Sequence, residues 1–117
     1  MSDTQDYMFL FIGGQEAMKT FSPEEMQQHM EKWTRWMASM QEQGIFKGGN
    51  PLEQGGKTIS GREKLVHDGP FAEAKEVVGG YIMISASSLE EATEIGKGCP
   101  IFENDGRVEV RTIRPMH

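Results

Sequence analysis

The residues best suited to acid–base chemistry are an aspartate and two histidines: Asp68, His67 immediately before it, and His29 in an earlier segment. A carboxylate beside an imidazole orients the ring and raises its pKa, which makes such a pair a candidate general base. If His67 and Asp68 lie in one strand, their side chains point to opposite faces and cannot pair with each other. Any working pair then needs a distant partner; in the catalytic interpretation this partner is His29 near Asp68, with His67 as the alternative acid–base group.

Asp68 also begins the sequence Asp68-Gly69-Pro70, which is typical of a tight turn. In this second interpretation the carboxylate accepts hydrogen bonds from backbone N–H groups and shapes the fold without taking part in a reaction. His29 is then a histidine at the boundary of the core. Because Asp, Gly and Pro are common turn residues, the residue types alone favour the turn over catalysis.

Five further residues are predicted to contact a ligand near this turn. Phe71, Glu73 and Lys75 follow the turn and precede a strongly apolar segment, which suits the rim of a cleft. Trp33 and Tyr81 are the aromatic residues that we predict to contact the substrate from a helix and a strand. The alternatives are a solvated loop for the charged residues and a place in the core for Trp33.

Length and charge exclude several classes of partner. The chain has 117 residues and a net charge of -6, so we expect one domain, 1–117, that binds neither nucleic acid nor an anionic membrane. The histidines lack metal-ligand spacing and Cys99 has no second cysteine, so no metal or other cofactor is indicated. The first residues lack the features of a secretion signal, and we expect a cytoplasmic protein.

Three segments of the chain have the patterns of β-strands. The runs from Tyr7 to Ile12 and from Val77 to Ile84 are almost continuously apolar, which is typical of strands covered on both faces. The segment from Arg107 to Arg114 alternates between polar and apolar residues, which is typical of an edge strand. The first two segments are therefore predicted to be the inner strands of one sheet.

Two helices, an extended crossing from Ile45 to Leu52 and a hairpin complete the predicted elements. Ser22-Pro23-Glu24-Glu25 and Ser88-Leu89-Glu90-Glu91 have the residues of helix N-terminal capping boxes. The stretches Lys57 to Ser60 and Lys64 to His67 suit a hairpin with a three-residue loop. The first helix carries one apolar face, with His29 and Trp36 at its edge, formed by Met26, Met30, Trp33, Met37 and Met40.

The predicted order is β-α-β-β(hairpin)-β-α-β, an α+β fold of the ferredoxin-like, split β-α-β kind with an extra hairpin. Helices cover only one face of such a sheet. The other face of the strands that carry Phe9, Phe11, Tyr81 and Met83 would meet water unless another protein packed on it. A second copy of the chain is the simplest cover, so we expect a homodimer.

The segment from Asp68 to Tyr81, which reads DGPFAEAKEVVGGY, resembles the signature of the DGPF branch of the YCII-related domain family. Trp33, Gly48-Gly49 and Cys99-Pro100 are also similar to that family. The resemblance implies a dimeric α+β barrel, the superfamily of muconolactone isomerases and heme-free antibiotic monooxygenases. It further implies a His–Asp pair in a cleft. Asp68 matches the aspartate, whereas His67 stands where similar sequences commonly have a small hydroxyl residue.

Two functional hypotheses follow from these observations. The first is a small-molecule-binding protein or enzyme that uses Asp68 with His67 or His29 in a cleft between sheet and helices. The second is an accessory or regulatory protein that acts through a partner such as an extracytoplasmic-function sigma factor. A deep apolar pocket with polar groups would favour the first hypothesis, and an exposed apolar patch would favour the second.

Overall fold

The computed structural model describes residues 3–69 and 76–116 of the chain. Its strands are β1 (Gln5–Ile12), β2 (Phe46–Pro51), β3 (Lys57–Ser60), β4 (Leu65–Asp68), β5 (Val78–Ala86) and β6 (Arg107–Thr112). Its helices are α1 (Gln15–Met18), α2 (Pro23–Glu42) and α3 (Leu89–Gly96), with a 3-10 segment at Pro100–Asn104. No helix in these ranges is long and apolar enough to cross a bilayer.

Four strands form one antiparallel sheet in the order β2-β5-β1-β6. The strands that precede the two long helices, β1 and β5, are therefore the inner strands, as the two apolar runs predict. This strand order is that of a ferredoxin-like split β-α-β fold. The prediction of an α+β fold with an alternating edge strand at β6 is confirmed.

Helices α2 and α3 pack on the same face of the sheet. The ring of Trp36 in α2 stacks on Phe9 of β1, with 6.0 Å between ring centroids, and Gly96 of α3 lies against the same phenylalanine. Trp33 meets Phe11 edge to face, with the centroids 4.9 Å apart. The two tryptophans are partly buried and pack against the core residues Phe9 and Phe11, so they join α2 to the sheet.

Local sequence determines where the helices begin. In α2 the Ser22 hydroxyl accepts a hydrogen bond from the Glu25 N–H at 3.1 Å, and the Glu25 carboxylate accepts one from the Ser22 N–H at 2.8 Å. In α3 the Ser88 hydroxyl accepts from the Glu91 N–H at 3.0 Å, but the Glu91 carboxylate accepts from Ser87. Both predicted helix starts are confirmed.

The inward face of α2 is rotated relative to the predicted apolar stripe. His29 and Met40 are its buried residues, and Trp36 packs against the core. Met30, which was placed within the stripe, is 52% exposed. The rotation follows from the two tryptophans, which lie over Phe9 and Phe11 and bring His29 inward.

The second face of the sheet carries a row of apolar residues and no helix from the described part of the chain. Tyr7, Phe9 and Phe11 point toward the helices, so the alternate residues Met8 and Leu10 point away. Met8 lies opposite Met83 and Leu10 lies opposite Tyr81 in the pairing of β1 with β5. Phe9 and Phe11 are thus on the covered face, while Tyr81 and Met83 are on the free face.

Strands β3 and β4 form a separate two-stranded sheet. The loop between them has four residues, 61–64, and not the predicted three, because Lys64 adopts a left-handed conformation with φ of 57° and β4 starts one residue later. Ile59 and Val66 face each other across this hairpin and are 67% and 60% exposed. The hairpin therefore has an apolar surface of its own.

Candidate functional site

A cavity of about 300 Å³ lies between α2 and the strands β1, β5 and β2. This volume is at the lower end of the range for small-molecule sites in proteins, so the space suits a molecule of about one aromatic ring. Most of the wall is apolar, and its lining residues include Phe11, Trp33, Met37, Phe46, Ile82 and Ile101.

Glycines also lie on the sheet side of this cavity, at positions 49, 79 and 80. A Cβ atom on Gly80 would lie 3.1 Å from the Asn50 carbonyl oxygen and 3.2 Å from the Pro51 Cα. A Cβ atom on Gly49 would lie 2.6 Å from the Ile82 Cα, which is closer than real Cβ atoms approach. A side chain at position 49 is therefore excluded, and one at position 80 would require the neighbouring main chain to shift.

Three carboxamide residues line the cavity: Asn50 of β2, Gln15 of α1 and Asn104 at the end of the 3-10 segment. The Asn50 side chain bonds to the Tyr81 hydroxyl. The Asn104 Nδ2 donates to the Gly14 carbonyl oxygen at 3.0 Å, and the Gln15 Nε2 donates to the Val77 carbonyl oxygen at 3.4 Å. Because carbonyl groups only accept hydrogen bonds, these contacts fix which end of each amide is nitrogen. The Gln15 Oε1 and the Asn104 Oδ1 are buried and have no partner among the described residues.

His29 lies directly behind the Trp33 wall of the cavity and is only 3% exposed. The Trp33 Nε1–H donates a hydrogen bond to the His29 Nε2 at 3.1 Å. An indole N–H is only a donor, so the His29 Nε2 carries no proton in this arrangement. The neutral ring therefore holds its proton on Nδ1, and the phenyl ring of Phe21 packs edge to face against it at 5.4 Å.

A carboxylate lies beside His29: the Glu103 Oε1 is 3.6 Å from the His29 Nδ1. The Lys32 ammonium group contacts both oxygens of the same carboxylate, at 3.1 and 3.0 Å. These hydrogen bonds from Lys32, followed by smaller contributions from its charge and from His29, hold the pKa of Glu103 below its ordinary value. Glu103 is thus a negative charge that faces the protonated nitrogen of His29.

Trp33 and Tyr81 border the cavity, as expected for residues that contact a ligand. The Tyr81 hydroxyl accepts a hydrogen bond from the Asn50 Nδ2 at 3.1 Å on the free face of the sheet. Tyr81 therefore connects the region of the cavity to that face. The role of both residues in substrate contact stays a prediction.

Asp68 does not meet His29 in the structure, which corrects the expected pairing. It lies at the end of β4 in the hairpin, with its side chain 88% exposed, and forms an ion pair with Lys57 of β3. His67 precedes it in the same strand, so the expectation that these two side chains cannot pair is consistent with the geometry. The pairing fails because the hairpin is a separate sheet, whereas His29 faces the core under α2.

Phe71, Glu73 and Lys75, the other predicted ligand contacts, lie outside the described residues. Sequence reasoning also missed Gln15, Asn104 and Glu103, since a single amide or carboxylate in a loop carries no motif. One usable signal was the position of Gln15 directly after the Gly13-Gly14 end of an inner strand. Polar residues at such strand ends often border binding sites in sheet proteins.

The profile of the YCII-related domain matches residues 6–117. The chain belongs to the YCII-related domain family. No curated protein shows significant similarity to this YCII-related chain.

One solved structure similar to the chain is 5-chloro-2-hydroxyhydroquinone dehydrochlorinase (TftG) from Burkholderia phenoliruptrix AC1100, in complex with 2,5-dihydroxybenzoquinone. The similarity covers 96% of this YCII-related chain and 94% of that chain, at 14% identity and a TM-score of 0.46. A similarity at this level carries no conclusion about activity.

Proposed function

We propose that this YCII-related protein binds a small, neutral, largely apolar organic molecule in the cavity between α2 and the sheet. The observation that carries the proposal is a cavity of about 300 Å³ with apolar walls, lined by Gln15 and Asn104, whose buried carboxamide oxygens have no partner among the described residues. A buried acceptor without a partner costs roughly 1–3 kcal/mol. A ligand that donates a hydrogen bond to such an oxygen would recover part of that energy.

The charge of the cavity favours a neutral ligand. None of the described residues that line it is charged. An anion placed there would lose its hydration without gaining a cation, which is strongly unfavourable in an apolar site. A ring that carries hydroxyl or amide donors matches both the apolar wall and the acceptor oxygens.

Binding is proposed here in place of His29–Asp68 catalysis for two reasons. The His29 Nε2 already accepts a hydrogen bond from Trp33, so it does not present a free base to the cavity. Asp68 is exposed on the hairpin and paired with Lys57. Acid–base chemistry at either residue would require a ligand that reaches a different surface of the protein.

Calorimetric titration with phenol, toluene and benzoate tests the proposal. We expect phenol to bind with a Kd on the order of 1 mM, the affinity of a seven-atom ligand at about 0.6 kcal/mol per atom. Phenol should bind at least as tightly as toluene, because a cavity without acceptors would reject the hydroxyl group. Tighter binding of benzoate, or clear preference for toluene, contradicts the proposed ligand chemistry.

A matched pair of variants locates the binding. Met37 lines the cavity, so Met37→Phe should fill part of it and weaken phenol binding. Ala38 is the next residue of α2 and is exposed, so Ala38→Phe should leave binding unchanged. Equal effects of the two substitutions would place the phenol site elsewhere.

A homodimer is the assembly that the free face of the sheet supports. Met8, Leu10, Tyr81 and Met83 form an apolar row there, and all four are partly buried within one chain. Two ion pairs flank the row, Lys47 with Asp6 and Arg111 with Glu109. A two-fold partner could meet these charged groups with groups of opposite charge. Sedimentation equilibrium at micromolar concentration should give twice the chain mass, and Met83→Glu should reduce it to one chain.

A second candidate function, an accessory role through a partner such as an extracytoplasmic-function sigma factor, is favoured by the hairpin. Its exposed pair Ile59 and Val66 lies outside the free face of the sheet. The double variant Ile59→Ser, Val66→Ser should abolish co-purification of such a partner and leave phenol binding intact. Loss of phenol binding in the double variant would instead assign the hairpin to the ligand site.

A further inference from the structure

We propose that His29 is a positioning residue for the cavity: its neutral imidazole holds the Trp33 indole in the cavity wall, and protonation of His29 releases that indole and weakens ligand binding. This inference rests on the proposed function for its effect on the ligand. The coupling between the two side chains can be measured without any ligand.

The hydrogen bond between the two rings allows only one protonation state of His29. The Trp33 Nε1–H donates to the His29 Nε2 at 3.1 Å, and an indole nitrogen has no lone pair with which to accept a proton in return. An imidazolium carries protons on both nitrogens, so it would direct an N–H group at the indole N–H. Protonation therefore breaks this contact.

The surroundings of His29 give the protonated ring another partner. From the 3-10 segment, the Glu103 carboxylate faces the Nδ1 across 3.6 Å, which is longer than a hydrogen bond. From α2, Lys32 holds that carboxylate at 3.0 Å. From the segment before α2, the uncharged ring of Phe21 covers the imidazole. A charged His29 is thus attracted toward Glu103 and away from Trp33.

Movement of Trp33 reaches the cavity directly because the indole is part of its wall. The ring is held on its other side by edge-to-face contacts with Phe11 at 4.9 Å and Trp36 at 5.8 Å. These contacts restrain the ring but leave its N–H without an acceptor once His29 is protonated. The unpaired N–H would then bond to water or rotate toward the cavity, and either movement changes the shape of the cavity.

NMR of the ligand-free protein tests the coupling. When the sample is acidified from about pH 8 to about pH 5, the indole N–H resonance of Trp33 should shift together with the ¹⁵N resonances of His29. In His29→Gln the amide oxygen can accept from Trp33, so the resonance should stay near its high-pH position at all pH values. In His29→Phe it should be shifted at all pH values.

Phenol titration of the same proteins tests the effect on the ligand. Lowering the pH from about 8 to about 5 should weaken phenol binding to the wild type by about fivefold, the factor that corresponds to one net hydrogen bond. His29→Phe should show the weaker affinity at both pH values, and His29→Gln should retain the tighter one. His67→Gln, a change on the exposed hairpin, serves as the histidine control and should behave as the wild type.

Each outcome separates the two proposals. The positioning role is refuted if the Trp33 indole N–H shift does not change when the His29 resonances change. It is also refuted if His29→Phe binds phenol as the wild type does. If none of the proteins binds phenol while Trp33 still follows His29, the proposed function fails and the coupling stands. A His29→Gln variant that folds but resembles His29→Phe in both measurements also refutes the role.

Discussion

Replacing Gln15 by methionine should stabilise the protein and weaken phenol binding at the same time. The Gln15 Oε1 is buried without a partner among the described residues, and removing such an atom recovers roughly 1–3 kcal/mol. The substitution also removes the hydrogen bond from Nε2 to the Val77 carbonyl, which at 3.4 Å is long and contributes about 0.5 kcal/mol. That carbonyl still accepts from the Gly13 N–H at 2.9 Å, so it is not left unpaired.

The net expectation for Gln15→Met is a gain of about 1 kcal/mol in the free energy of unfolding, which corresponds to about 4 °C in Tm for a domain of this size. Methionine has nearly the length and the helix propensity of glutamine, so packing and helix formation change little. Phenol should lose its advantage over toluene, because one of the two acceptors at the border of the cavity is gone.

Differential scanning calorimetry and phenol titration measure the two effects on the same sample. Gln41→Met is the matched control, since Gln41 is exposed on α2 and its replacement should change stability by less than about 0.5 kcal/mol. A Gln15→Met protein that is less stable than the wild type would show that the oxygen already has a partner. Unchanged phenol affinity would show that the oxygen does not serve the ligand.

Three further results are expected. In urea denaturation, Phe9→Ala should lower the free energy of unfolding by about 3–5 kcal/mol, because Phe9 is fully buried. Phe102→Ala, at a half-exposed site, should lower the same free energy far less. Cys99, whose pKa is raised by burial to about 12, should react with iodoacetamide at pH 8 only after unfolding; rapid alkylation of the native protein would contradict its burial. Glu103→Gln should destabilise the protein relative to the wild type above pH 4.5, and the difference should disappear in more acidic solution; a difference that persists there would mean that the carboxylate does not act through its charge. The sign follows from the pKa of Glu103, which Lys32 lowers from 4.5, so the stabilisation is complete above the unfolded value and is lost as pH falls through the folded one.

The sequence was sufficient to predict the sheet because its signals are local. The apolar runs of β1 and β5 show which strands are inner, and the serine caps before α2 and α3 show where the helices begin. A strand covered on both faces needs apolar residues at every position, so the pattern follows directly from burial. The family profile matches residues 6–117, the part of the chain in which these strands and helices lie.

The site was much less predictable because its geometry depends on contacts between distant segments. His29 and Glu103 are 74 positions apart in the chain, and the proximity of their side chains depends on how the 3-10 segment packs under α2. The position of Asp68 was misjudged for a similar reason. Its turn was predicted from three residues, of which Pro70 lies outside the described residues, and no local pattern shows that β3 and β4 stay apart from the main sheet.

The glycines on the sheet side of the cavity restrict how its specificity can change. Gly49 and Gly80 cannot accept a side chain without displacing neighbouring main chain. Substitution on that side should therefore destabilise the protein whether or not it changes ligand preference. The opposite wall includes Met18, Met30 and Met37, which are flexible and tolerate exchange for leucine or phenylalanine. Engineering toward a new ligand should therefore diversify the methionines of α1 and α2 and keep the strands fixed.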